Sequence, residues 1–171
     1  MDLNFLKFFG FNKRNKCMEL QPPNEYKQED VVGYKKVFLA GSIEMGKALD
    51  WQREIVNSLS HLKFLFFNPR RKDWDSTWEQ SIENEEFYGQ VMWELDHLDD
   101  SDIIVLYLQP DTISPVSLIE FGLHARNGKL IVYCPDGYFK KGNIDITCEK
   151  YKVPVANDWS ELTNYLISKL D

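Results

Sequence analysis

Short apolar runs alternate along the chain with longer stretches in which apolar residues recur every three or four positions. The runs KKVFLAGS (35–42), KFLFFNP (63–69), DIIVLYLQP (102–110) and KLIVYCP (129–135) are apolar almost throughout. Runs of this length that lack polar alternation indicate strands buried on both faces. A fifth, weaker strand is predicted near 151–155.

The remaining segments predict helices at 45–60, 78–99, 114–129 and 158–170, each with apolar residues at helical spacing. We therefore predict an α/β fold: a doubly wound, flavodoxin-like or Rossmann-like parallel sheet of about five strands, with helices on both faces. Ligands bind such sheets beyond the carboxyl ends of the strands. The candidate loops are AGSIEMGK, NPRRKDWD, QPDTISP and CPDGYFKKG.

The residues before the first predicted strand have a different character. MDLNFLKFFGFNKRNKC mixes aromatic with basic residues, and QPPNEYKQEDVVG is polar with two prolines. The basic residues lie within and after the apolar patch, unlike those of a signal peptide. We predict an N-terminal arm and linker over 1–33 and one domain over 34–171. A weak amphipathic contact with a partner or a membrane surface is an alternative role for the arm.

Composition and charge narrow the classes of function. The 171 residues carry a formal charge of −7, which argues against a broad surface for nucleic acid polymers but not against a small nucleotide. Three cysteines without a CxxC pair, and three scattered histidines, predict neither a disulfide framework nor a metal site, and favour a reducing, cytoplasmic location. No apolar run approaches the roughly 18 residues of a membrane span.

The loop after the first predicted strand nearly matches a phosphate-binding motif. GSIEMGKA supplies Gly41, Gly46 and Lys47 of GxxxxGK[ST], but Ala48 lacks the hydroxyl that would hold Mg²⁺. A nucleoside triphosphatase is therefore disfavoured. Two interpretations stay open: Gly41, Ser42 and Lys47 contact a ribose or a single phosphate, or the glycine turn merely joins a strand to a helix.

Two glutamates lie on the predicted helices that flank the third strand. Glu94 is near the end of 78–99, and Glu120 interrupts the apolar helix 114–129. Cleavage of a glycosidic bond requires such a pair, one carboxylate as nucleophile and the other to handle the proton of the leaving group. The structural alternatives are a capping box formed by Ser117 and Glu120, and an exposed helix position for Glu94.

Four segments together resemble the nucleoside 2-deoxyribosyltransferase family: VFLAGSI, FNPRRKDWDSTW, WELDHLDDSDIIVLYL and SPVSLIEFGLHARNGK, over about 37–135. The resemblance implies that Glu120, followed by Phe-Gly-Leu-His-Ala, is the catalytic nucleophile. It implies that Glu94, eight positions before Asp102, contacts the base, although the family usually has aspartate there. It further implies a homo-oligomer with sites near subunit interfaces, and a reaction without an organic cofactor or a metal.

The position six residues before Glu120 departs from the transferases, which often carry an aspartate there that holds the sugar 5′-hydroxyl. Ser114 occupies this position, as in the related 2′-deoxynucleoside 5′-monophosphate N-glycosidases, where a serine meets the 5′-phosphate. A hydroxyl and helix N-terminal amides favour a phosphate, whereas a carboxylate repels it. Ser114 before Pro115 also suits a purely structural N-cap.

The predicted chemistry is a double displacement on a 2′-deoxynucleoside or its 5′-monophosphate. Glu120 attacks C1′ as the base leaves, and Glu94 helps to protonate that base. A second base as acceptor makes the protein a transferase, and water makes it a hydrolase. A nucleotide-binding or sensor module without turnover is the alternative from another class.

Further substrate contacts are predicted after the second strand. Trp74 and Trp78 are candidates to stack on the nucleobase, Asn68 is a further candidate contact, and Arg70 and Arg71 are candidates to meet a phosphate. The structural alternatives are a core-filling role for the tryptophans and ion pairs of Arg70 and Arg71 with acidic neighbours.

Overall fold

The computed structural model describes residues 16–44, 48–71 and 73–170. The predicted arm up to residue 15 and the predicted site residue Lys47 lie outside these ranges. The described strands are β1 (Met18–Leu20), β2 (Lys35–Gly41), β3 (Phe64–Phe67), β4 (Ile103–Tyr107), β5 (Leu130–Tyr133) and β6 (Val155–Ala156). The described α-helices are α1 (Trp51–Ser58), α2 (Glu85–Asp100), α3 (Pro115–His124), α4 (Lys141–Tyr151) and α5 (Trp159–Ile167).

The strands form one parallel sheet in the order β1-β3-β2-β4-β5-β6. Without the edge strand β1, the order is that of a flavodoxin-like sheet. The predicted fold class is thus confirmed, with one strand more than expected. The order of strands reverses at β2, so the crevice between the carboxyl ends of β2 and β4 is the expected place for a ligand.

Two apolar layers enclose the sheet. Helices α2, α3 and α4 cover one face, where Trp93, Phe121 and Ile144 pack on the strands, and α1 and α5 cover the other face, where Trp51 and Leu162 do so. Every residue of β3 and β4 is buried. This two-sided burial is the reason why the strands appear in the sequence as continuous apolar runs.

Several predicted boundaries were wrong, and at two helix starts the reason is a polar capping residue. Asp50 caps α1 by accepting from the Arg53 amide, so this helix begins at Trp51 and not at 45. Asn84 caps α2 by accepting from the Phe87 amide at 2.8 Å, so residues 78–84 precede the helix. Helix α3 ends at His124, before the predicted 129.

Two elements escaped the sequence analysis, β1 and α4. Strand β1 lies in the segment predicted as an arm, yet it pairs with β3. The predicted linker also packs on α2, because the Trp93 indole donates to the Asn24 carbonyl at 2.8 Å and the Tyr26 hydroxyl bonds Asp100. Helix α4 has few buried residues and therefore little apolar periodicity. The domain boundary at residue 34 stays a prediction.

Within the ranges that the structure describes, no helix is long and apolar enough to cross a membrane.

Gly41 closes β2 beside β4, and we expect Gly41→Ala to destabilise the protein by about 3 kcal/mol or more. Its φ is +138°, and a Cβ atom there would lie 2.1 Å from the Tyr107 carbonyl oxygen. The obstacle is backbone, so no side-chain rotation can relieve it. Chemical denaturation would measure the change in the free energy of unfolding.

The control for this prediction is Gly89→Ala. Gly89 is within α2, and a Cβ atom there would meet nothing within 4 Å. Alanine in a helix interior is expected to stabilise the protein by about 0.5–1 kcal/mol. Equal effects of the two substitutions would contradict the argument.

Candidate functional site

The candidate site lies where the loops after β2 and β4 meet. The Ser42 amide donates to the carbonyl of Tyr107, the last residue of β4, at 2.9 Å. The loop from Leu108 to Ser114 then leads into α3, the helix that carries Glu120. The chain therefore places this helix directly at the switch point of the sheet.

Three hydroxyl groups join the two loops. The Oγ atom of Ser42 lies 2.8 Å from Thr112 Oγ1 and 2.7 Å from Ser114 Oγ, and the last two are 3.1 Å apart. The Gln109 amide also donates to Ser42 Oγ at 2.9 Å. The structure thus brings the predicted residues Ser42 and Ser114 together beside Gly41, whereas the sequence analysis missed Thr112.

Glu44, which the sequence analysis also missed, fills the position just before α3. Its Oε1 atom accepts hydrogen bonds from the amides of Ile113 (2.8 Å) and Ser114 (2.7 Å). Ser114 is the N-cap residue of α3, as its position before Pro115 suggested, but its side chain makes no capping bond. Glu44 therefore accepts from the two amides that precede the helix, and not from the amides of its first turn, which a capping side chain would bond.

Glu120 is buried in the second turn of α3, with 7% of its surface exposed. The capping-box interpretation is wrong, because α3 begins at Pro115 and Ser117 therefore lies inside the helix. Burial raises the pKa of Glu120 well above its ordinary value, and the charge of Glu94 raises this pKa further. A carboxyl group in such surroundings is costly to ionise and is a candidate for chemistry.

Glu94 is largely buried on α2, so the interpretation as a freely exposed helix residue is also wrong. Burial raises the pKa of Glu94 to about 7, against a hydrogen bond from Gln90 that lowers it. The Gln90 Nε2 atom donates to Glu94 Oε1 at 2.7 Å and to the Pro69 carbonyl, at the end of β3, at 3.3 Å. Glu94 and Glu120 are close enough for their charges to interact.

The side-chain amide of Gln90 links Glu94 to a basic and aromatic group. Arg71 Nη1 donates to Gln90 Oε1 at 3.4 Å, and the Arg71 guanidinium lies 5.1 Å from the centre of the Trp78 ring. Trp78 is 5.2 Å from Trp74, edge to face. Both tryptophans are partly exposed, so they are not core residues, and Trp78 is connected to Glu94 through Arg71 and Gln90.

Arg71 forms an ion pair with an acidic neighbour, which was one of the two roles predicted for it from the sequence. Its Nε and Nη2 atoms donate to the two carboxylate oxygens of Asp73 at 2.7 and 2.6 Å. This bidentate pair fixes the plane of the guanidinium beside Trp78.

Asn68 and the Nη2 atom of Arg70 form hydrogen bonds to other parts of the protein, whereas the buried Nε atom of Arg70 has no hydrogen-bond partner among the residues that the structure describes. Asn68 donates to Glu19 at 2.7 Å and accepts from the Arg70 amide at 3.0 Å, which ties β1 to the end of β3. Arg70 Nη2 donates to the carbonyls of Ala48 (3.1 Å) and Leu49 (2.9 Å). The structure therefore gives these two predicted contact residues local partners and no link to Glu94.

Metal ligands do not cluster in the part of the chain that the structure covers, since no three His, Cys, Asp or Glu side chains converge there in a suitable arrangement.

Comparison with known proteins gives a family match and a structural neighbour. A family model described as nucleoside 2-deoxyribosyltransferase like matches residues 34–138, more than half of the chain. No match was found among curated proteins. The crystal structure of a conserved protein from Enterococcus faecalis V583 is similar with a TM-score of 0.58 and 15% sequence identity, over 80% of this chain and 99% of that chain. At this identity, the likeness shows the fold alone.

Proposed function

Because the chain belongs to the nucleoside 2-deoxyribosyltransferase-like family, we propose that it cleaves the N-glycosidic bond of 2′-deoxynucleosides or their 5′-monophosphates and passes the deoxyribosyl group to another base. The observation that carries this proposal is the pair of carboxyl groups of Glu94, which is largely buried, and Glu120, which is buried, close enough for their charges to interact. Both lie on helices that cover the same face of the sheet.

In the first step, a carboxylate oxygen of Glu120 attacks C1′ of the deoxyribose. The bond between C1′ and the base nitrogen breaks, and its electron pair leaves with the base. Glu94 donates its proton to the base. The products are a deoxyribosyl ester of Glu120 and a free, neutral base.

The electrostatic interaction between the two carboxyl groups allows Glu94 to act as the acid and Glu120 as the nucleophile. The charge of Glu94 raises the pKa of Glu120, so a proton on Glu94 removes this repulsion and makes ionisation of Glu120 easier. The positive charge that develops at C1′ then favours the Glu120 carboxylate further. One proton shared by the pair supplies an acid and a nucleophile at once.

In the second step, a nitrogen of the acceptor base attacks C1′ and the ester bond breaks, which returns the carboxylate of Glu120. Glu94 takes up the proton that the acceptor nitrogen loses. Attack by water would complete the same cycle as hydrolysis. The partly exposed rings of Trp74 and Trp78 are proposed to stack on the bases and so favour a base over water in this step.

One incubation experiment tests this function. The protein is mixed with deoxynucleosides or deoxynucleoside 5′-monophosphates, with and without an acceptor base, and the products are separated by chromatography. A new deoxynucleoside that appears only with acceptor supports the transferase. Release of free base without acceptor supports the hydrolase, and binding without any product would contradict catalysis and favour a sensor.

We also propose that the protein is a homo-oligomer. Val116, Ile119 and Leu123 lie on α3 beside Glu120 and are 56%, 62% and 58% exposed. A row of large apolar side chains on one helix favours a protein contact over exposure to water. A cytoplasmic location likewise stays a prediction, which the free cysteines favour.

We predict that Ile119→Asp dissociates the oligomer, because a charge would then have to be buried at the contact. Light scattering coupled to size-exclusion chromatography would report the mass. Ile146→Asp is the control, since Ile146 is 69% exposed on α4. A monomeric wild-type protein, or an oligomer that both variants retain, would contradict the prediction.

A further inference from the structure

Two amides just before α3 point to one position, and the protein places its own carboxylate there. The consecutive amides of Ile113 and Ser114 both donate to Glu44 Oε1, at 2.8 and 2.7 Å. Successive amides that converge in this way bind anionic oxygen atoms such as those of phosphate. Here that position is already occupied by a negatively charged group of the same chain.

The backbone is adapted to this contact. Glu44 and Ser114 have φ values of +47° and +48°, in the left-handed region that residues other than glycine rarely adopt. Such conformations cost free energy and persist where the surroundings enforce them, often at functional sites. The Tyr138 hydroxyl adds support by donating to the Ile113 carbonyl at 2.9 Å, which holds the loop against the body of the protein.

The hydroxyl of Ser114, like its amide, already has hydrogen-bond partners within the protein, so neither group is available to bind a phosphate. Ser114 is 6% exposed, and its Oγ atom lies within hydrogen-bond distance of Ser42 and Thr112. A 5′-phosphate at this position would have to displace the Glu44 carboxylate and compete for Ser114 as well. It would also meet a like charge at short range.

Glu44 and Glu120 are placed so that they can contact opposite ends of one deoxyribose. Ser114 precedes Glu120 by six residues on α3, a rise of about 9 Å, and helical side chains lean toward the N-terminus. With Glu120 at C1′, the start of α3 is therefore the place for the 5′ substituent. Glu44 Oε1 accepts from the two amides, which leaves Oε2 as an acceptor for a hydroxyl.

We propose that Glu44 makes the site specific for substrates with a free 5′-hydroxyl and excludes 5′-monophosphates. This inference rests on the proposed function and names its substrate class as the unphosphorylated 2′-deoxynucleosides. Six positions before Glu120 this chain has a serine, and the loop after β2 brings a carboxylate to the amide of that serine.

The test compares kcat/KM for one deoxynucleoside and its 5′-monophosphate in the wild type and in Glu44→Gln. Glutamine keeps an oxygen that can accept from both amides but removes the charge. We expect the wild type to prefer the nucleoside, and Glu44→Gln to lower this preference by about 10- to 100-fold. Glu54→Gln is the control, because Glu54 is an exposed glutamate of α1 and its loss changes the net charge equally.

A wild type that uses the monophosphate as well as the nucleoside would overturn the inference and leave the proposed function standing. So would a preference that Glu44→Gln and Glu54→Gln change equally. If neither compound is cleaved, the proposed function fails, and calorimetric titration with both compounds tests the inference alone. The inference is supported if the wild type binds the nucleoside more tightly than the monophosphate and Glu44→Gln shows a smaller difference between the two. Any other result, including no binding, overturns it.

Discussion

Glu120→Gln is expected to lower kcat/KM for base exchange and base release by about 10⁴-fold or more, because glutamine cannot form the ester with C1′. The fold should persist, because the glutamine side chain has nearly the same shape as the buried glutamate that it replaces. Chromatography of the products measures the rate, and mass spectrometry of the wild type with substrate should detect a deoxyribosyl adduct that the variant lacks.

The same variant has a second expected property, which separates a reagent from a structural residue. Because burial raises the pKa of Glu120, ionising it costs free energy of folding, and Glu120→Gln should be at least as stable as the wild type above neutral pH. Glu149→Gln, an exposed position on α4, serves as the control. Activity within tenfold of the wild type would rule out Glu120 as the nucleophile.

Glu94→Gln is expected to lower kcat by about 10²- to 10⁴-fold for natural bases, the usual loss for a missing general acid. In the wild type, activity should fall as the pH rises through about 7, because Glu94 then loses the proton that the base requires. This alkaline limb should disappear in the variant. The measurement is a pH profile of kcat/KM for both proteins.

A substrate with a better leaving group distinguishes an acid from a positioning residue. A 2-deoxyriboside whose leaving group departs without protonation, such as a nitrophenolate, should be cleaved by Glu94→Gln at nearly the wild-type rate. Gln90→Ala is a useful comparison, because it removes the hydrogen bond to Glu94 and keeps the carboxyl group. An equal loss on both kinds of substrate in Glu94→Gln would contradict the role of Glu94 as an acid.

The raised pKa of Glu94 also affects stability, and its sign follows from linkage. Between pH 4.5 and about 7, the folded protein keeps a proton on Glu94 that the unfolded chain has lost. The free energy of unfolding therefore falls as the pH rises across this window. Glu94→Gln should reduce that fall, by on the order of 3 kcal/mol for the full shift, and urea denaturation at several pH values would measure it.

The parallel sheet could be predicted because its central strands are buried on both faces, which leaves a local signature. In β4, every residue is apolar and buried, so neither register nor neighbours are needed to recognise it. The short edge strand β1 has only three residues and depends on pairing with β3. No local pattern distinguishes such a segment from a linker.

The residues of the candidate site also differ in whether the local sequence could predict their role. Glu120 could be predicted as a site residue because a carboxyl group among the apolar residues of a helix is unusual. A few neighbouring residues of the sequence are enough to recognise it. Asn68 and Arg70 were predicted to contact substrate from their place after a strand, yet their side chains bind Glu19 and the carbonyl groups of Ala48 and Leu49. A loop position indicates where a residue lies, and it does not show which partner the side chain finds.

By itself, the sequence determined the α/β architecture, the helices that carry Glu94 and Glu120, and the serine before α3, because each follows from residue type and short-range spacing. Only the tertiary structure decided what surrounds that serine. Glu44 reaches the Ser114 amide from 70 positions away, and the two are neighbours only because β2 and β4 pair in the sheet. Hydrogen bonds over such separations leave no periodicity in the chain, so the charge at the start of α3 emerges only when the strands assemble.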